Sequence, residues 1–97
     1  MTRRSAQTLG RMRHAGPVAL SALHAVLEHL RQINGLTERK PGIFYRGSSA
    51  FLHFHEDDAG LFADAKVNGR TFERMPVNTK LEQVALLSKV SSALQRK

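Results

Sequence analysis

In this chain of 97 residues the triplet His53-Phe54-His55 is where residue type and spacing first suggest chemistry. In an extended strand, side chains two apart point the same way, so both imidazoles can reach one ion or one ligand. Asp64 and Glu73 are the carboxylates that neighbouring strands would bring alongside. The candidate metal set is therefore His53, His55, Asp64 and Glu73. The acidic run Glu56-Asp57-Asp58 reads as a turn former rather than a ligand cluster. Catalysis finds little footing elsewhere. There is no Cys, no Ser in a G-x-S-x-G elbow, no Gly-rich phosphate loop ahead of a helix and no H-E-x-x-H. His24 falls beside an apolar helical stripe and His29 toward solvent. A non-enzyme without a cofactor is the expectation.

These residues need elements to hold them. Pro17 suits the first turn of a helix. Leu20, Leu23, Leu27 and Leu30 then recur at three and four, and Asn34-Gly35 ends the pattern, which predicts a helix over 17–34. Residues 36–42 read as a polar connection. From there the period changes. Turn signals at Gly47-Ser48, Asp57–Gly60 and Asn68-Gly69 predict strands over 43–46, 49–56, 61–67 and 70–75. Thr79 followed by Glu82 forms a capping box, and Leu81, Val84, Leu87, Val90 and Leu94 continue a helix over 79–95. The expected fold class is α+β: a four-stranded antiparallel meander with two helices packed on one face, in the order α-β-β-β-β-α.

Short turns also set a register. Pairing Arg46 with Ser49 and Val67 with Arg70 places Leu52, Phe54, Leu61, Ala63, Ala65, Val67 and Phe72 on the core face. Phe44, Phe51, His53, His55, Phe62 and Met75 then share the second face, where they form a candidate interface or ligand surface. That register sets Asp64 opposite Glu73, an unfavourable pair unless a cation intervenes. The leading expectation is a self-associating interaction module, most simply a homodimer through this aromatic face.

The net charge of +7 is unevenly spread. Arg3, Arg4, Arg11 and Arg13 precede the first acid, Glu28, so residues 1–16 carry more than half of the excess. Residues 1–16 read as a flexible basic tail, with Met12 as an alternative start, and 17–97 as the single domain. Nucleic-acid binding is the alternative, using Arg3, Arg4, Arg11, Arg13, Arg46, Lys66 and Arg70 with the sheet aromatics. Metal or ligand binding at His53 and His55 ranks third. No apolar stretch reaches the length of a membrane span, and a cytoplasmic location without membrane contact is expected.

The segment from Pro41 through His55, followed by Leu61-Phe62-Ala63-Asp64-Ala65-Lys66-Val67, is similar in layout to small bacterial domains of the YjbR and competence-regulator N-terminal (TfoX) kinds. The resemblance implies a non-enzyme linked to DNA binding or regulation, and it assigns no functional residue.

Overall fold

The computed structural model describes residues 13–95, which form an α+β unit built on one antiparallel sheet. The chain runs β1 (Arg13–His14), α1 (Pro17–Ala22), α2 (His24–Arg31), β2 (Thr37–Lys40), β3 (Ile43–Arg46), β4 (Ser49–Asp57), β5 (Gly60–Ala65), β6 (Glu73–Pro76) and α3 (Lys80–Gln95). The sheet order is β2-β3-β4-β5-β6, with β1 lying on β4 beyond the end of β3. The sheet therefore has six strands and the unit three helices, where the sequence pattern suggested four and two.

Each extra element has a local cause. The first helix breaks at Leu23, a fully buried residue whose N–H still reaches the Ala19 and Leu20 carbonyls. Residues 37–40 pair with β3 instead of forming a loop. They are almost all polar and exposed because β2 is an edge strand. Residues 13–16, read above as part of the tail, are also held. Ala15 N donates to Phe54 O at 3.0 Å, and Gly16 N to a Glu56 carboxylate oxygen at 2.6 Å.

The capping box at the start of α3 forms in full. Glu82 N donates to Thr79 Oγ1, and Glu82 Oε1 accepts from the N–H groups of Thr79 and Asn78. Such a cap is worth about 1 kcal/mol. The Asn78 side chain is engaged elsewhere, bonding both the N–H and the carbonyl of Leu61 as a strand neighbour would. The expected stripe of α3 holds from Leu86 onward, with Leu86, Val90 and Ala93 buried and Leu87 and Leu94 packed against them, while Leu81 and Val84 in the first turns are exposed.

One core lies between the helices and one face of the sheet. Leu23, Val26, Leu27 and Leu30 meet Leu52, Phe54, Ala63, Ala65 and Val77 there, with Leu86 and Val90 from α3. Two register shifts decide what joins them. Between β3 and β4, Tyr45 pairs with Ala50 but Phe44 pairs with Leu52, leaving Phe51 as the extra residue of a bulge. The bulge moves Phe44 onto the core side, and both Phe44 and Phe51 are buried in the core. Between β5 and β6, Asp64 pairs with Arg74, not Glu73. That single step carries Met75 opposite Ala63 and Glu73 opposite Ala65, onto the core side. The cause is the connection. Asn68 Oδ1 accepts from the N–H groups of Arg70 and Thr71, which rounds residues 66–72 into a wide loop instead of a two-residue hairpin.

Three of the six residues expected on the second face therefore lie on the core side: Phe44, Phe51 and Met75. Phe72 moves the other way. It leaves the expected core face and its ring rests against His53, with centroids 4.7 Å apart.

Candidate metal centre

Strand pairing builds the second face in two cross-strand rows. Ile43, His53, Asp64 and Arg74 face one another along the first, and His14, His55, Phe62 and Pro76 along the second. The alternate rows, Phe44-Leu52-Ala65-Glu73 and Phe54-Ala63-Met75, lie on the core side. The chemistry therefore follows from sheet parity. Every second residue of β4 from His53 to His55 points away from the core, and β1 adds a third imidazole beside them.

His14, His53 and His55 each offer a ring nitrogen, and the three atoms lie within 4.8 Å of one another. Nitrogens sharing a tetrahedral zinc at about 2.0–2.1 Å sit about 3.4 Å apart, so small ring rotations suffice to close on one ion. The His14 and His55 rings stack with centroids at 5.1 Å, and His53 meets both edge-on. His53 Nδ1 and His55 Nε2 approach to 2.5 Å, a distance that requires one of them to carry the shared proton. His55 Nδ1 is buried, and the backbone of Arg13 lies beside the same ring.

Asp64 completes the surroundings. Its side chain is only 10% exposed, and Oδ2 lies 3.3 Å from His55 Nε2. Arg74 grips the same carboxylate with two hydrogen bonds, Nε to Oδ1 at 2.9 Å and Nη2 to Oδ2 at 3.0 Å. Burial pushes the Asp64 carboxyl up, but the Arg74 hydrogen bonds and charge, joined by the nearby imidazoles, outweigh it and hold the group below its ordinary value. Burial lowers both His53 and His55. Repulsion between the rings adds to the effect at His53, and the pull of Asp64 on each is not enough to reverse it. Both imidazoles are thus biased to the neutral form, which is the form that ligates metals. A carboxylate beside a ligating imidazole is also the usual outer partner that orients the ring.

Glu73 does not belong to this set. It sits with Val67, Asn68, Ser88 and Lys89 on the side facing α3, and its carboxylate accepts from Asn68 Nδ2. His14 replaces it, a residue assigned above to a flexible tail. The available signal was the alternation of Arg13-His14-Ala15 ahead of Gly16-Pro17, too short to read as a strand. Phe62 stays on this face, half-buried opposite His55.

The basic residues expected to hold nucleic acid do not converge on the imidazoles. Arg13 pairs with Glu56, Arg46 lies at the β3–β4 turn, Lys66 stands over the Phe72 ring, and Arg70 is exposed in the 66–72 loop. Arg3, Arg4 and Arg11 lie outside the described residues. Among the described residues no helix is long and apolar enough to cross a membrane. No family model, curated protein or solved structure matches the chain.

Proposed function

We propose that this protein is a small metal-binding module that holds one late first-row divalent ion, such as zinc or nickel, on His14, His53 and His55. The observation that carries the reading is the convergence of three imidazoles from two strands distant in sequence, with ring nitrogens within 4.8 Å of one another. Imidazole donors suit zinc, nickel and copper over calcium or magnesium. Three protein ligands leave one tetrahedral position for water or another ligand. Asp64, fixed by Arg74, serves as the outer carboxylate that orients His55. Self-association through the aromatic face loses its main support, because Phe44 and Phe51 are used in the core.

The test is calorimetric titration of the metal-free full chain with zinc and with nickel. One ion per chain is expected, and zinc at a hundred times its Kd should stabilise by about 2.7 kcal/mol, a rise in Tm of about 10 °C or more. His55→Ala should weaken binding by about a hundredfold or more, whereas His29→Ala, an exposed ring bonded to Ala25 O, should change nothing. Equal zinc affinity in the wild type and His55→Ala would overturn the reading.

A further inference from the structure

Two of the three imidazoles, His14 and His53, also line a groove of about 340 Å³ on the second face. The rest of its lining is informative. Arg39 and Lys40 bring two positive charges, while Ile43, Tyr45 and Ala50 are uncharged, and no carboxylate takes part. Neither Arg39 nor Lys40 has a carboxylate partner among the described residues. Arg39 is nonetheless held in place. Its guanidinium lies 4.4 Å over the Tyr45 ring, and Nη2 donates to Gly47 O at 3.1 Å. A guanidinium has five N–H donors, so most remain available to an acceptor.

Three arginines elsewhere are neutralised by carboxylates. Arg13 meets Glu56, Arg31 meets Glu28 and Glu38, and Arg74 meets Asp64. Arg39 and Lys40 have no such carboxylate, and they line one groove with two of the three imidazoles. A divalent ion there adds two further charges, so the groove would be strongly electropositive with one open coordination position. Its volume is at the small end for ligand sites, about 300 Å³ and upward.

We propose that this groove binds a small organic oxyanion with an apolar flank, an aromatic or branched carboxylate or a phosphate monoester. The anionic oxygen takes the open position on the metal, Lys40 and Arg39 neutralise the remaining charge, and Ile43, Tyr45 and Ala50 receive the apolar part. The inference rests on the metal reading above, since without the ion the groove keeps only the two side-chain cations.

The experiment uses the full chain loaded with cobalt(II), whose visible absorption reports the ion's coordination. Benzoate, phenyl phosphate, inorganic phosphate and neutral benzamide are titrated in turn, each followed by absorption and by calorimetry. Benzoate or phenyl phosphate should change the cobalt spectrum saturably, and whichever binds tighter identifies the head group. Benzamide should leave the spectrum unchanged. The double variant Arg39→Gln/Lys40→Gln changes two side chains on the exposed edge strand and should load cobalt within about twofold of wild type. It should weaken the organic anion by about tenfold or more. Cobalt that loads normally but responds to neither organic anion overturns this inference and leaves the metal reading standing. Inorganic phosphate binding as tightly as phenyl phosphate, or the double variant binding like wild type, also overturns it. Failure of cobalt to load at all overturns the metal reading itself.

Discussion

At the scale of single residues, Asp64 has the most exacting position. It is the one buried charged side chain among the described residues, and it is tolerated because Arg74 meets it with two hydrogen bonds while His55 lies within 3.3 Å. Removing a partner from a buried charge usually costs more than the pair contributes, since the charge stays behind. Arg74→Met should therefore destabilise the metal-free protein by roughly 1–2 kcal/mol, a figure kept low because half of the Arg74 side chain faces water. Urea unfolding measures it. The same variant should weaken zinc by about tenfold or more through loss of the ring-orienting carboxylate geometry, and unchanged zinc affinity would separate Asp64 from the site.

At the scale of elements, β2 shows how an edge strand of polar residues is kept in place. Glu38 accepts from the Arg31 guanidinium of α2 and from Gly42 N at 2.9 Å, so one carboxylate ties the second helical segment to the strand and to its turn. Gly42 must remain glycine. Its φ is 77°, and a Cβ there would come within 2.8 Å of Leu20 Cδ2. The hydrogen bond from Arg31, helped by the one from Gly42 and by the Arg31 charge, outweighs burial and lowers the Glu38 pKa below its ordinary value. A depressed carboxylate contributes stability above its unfolded pKa and loses it as pH falls through the folded one. Glu38→Gln should then unfold at lower urea than wild type at pH 7. The gap should close as both are taken to pH 3. Urea midpoints at the two pH values check this, and a gap independent of pH would refute it.

At the scale of the molecule, the segment ahead of the first helix is part of the candidate site. β1 extends the row started by β3, and His14 enters through its pairing with His55. Every proposed ligand lies at or after residue 14. Deleting residues 1–12 should therefore leave zinc affinity within about twofold, whereas deleting 1–16 removes His14 and should lower it by about a hundredfold. Calorimetry on the two shortened chains decides it. A loss already seen on removing 1–12 would place a ligand or an essential contact outside β1.

Much of the architecture can be read without coordinates, because it depends on local signals. Pro17, the Thr79–Glu82 box and the glycines at turns act over a few residues, and their positions mark the observed elements closely. Strand 43–46 is matched to the residue. The candidate site is less legible, since it depends on parity between strands. The bulge at Phe51 and the wide 66–72 loop each shift pairing by one residue, and one residue exchanges the two faces of a strand. Hence Phe44, Phe51, Glu73 and Met75 change sides, while His53 and His55 keep theirs because β4 itself carries them. By itself the sequence determined where the helical stretches and the three central strands lie, though not the strands at 13–14 and 37–40, and that two histidines of one strand share a face. Only the tertiary structure decided that His14 joins them and that Arg74, not Glu73, meets Asp64, because pairing between distant segments is a long-range competition that no local spacing records.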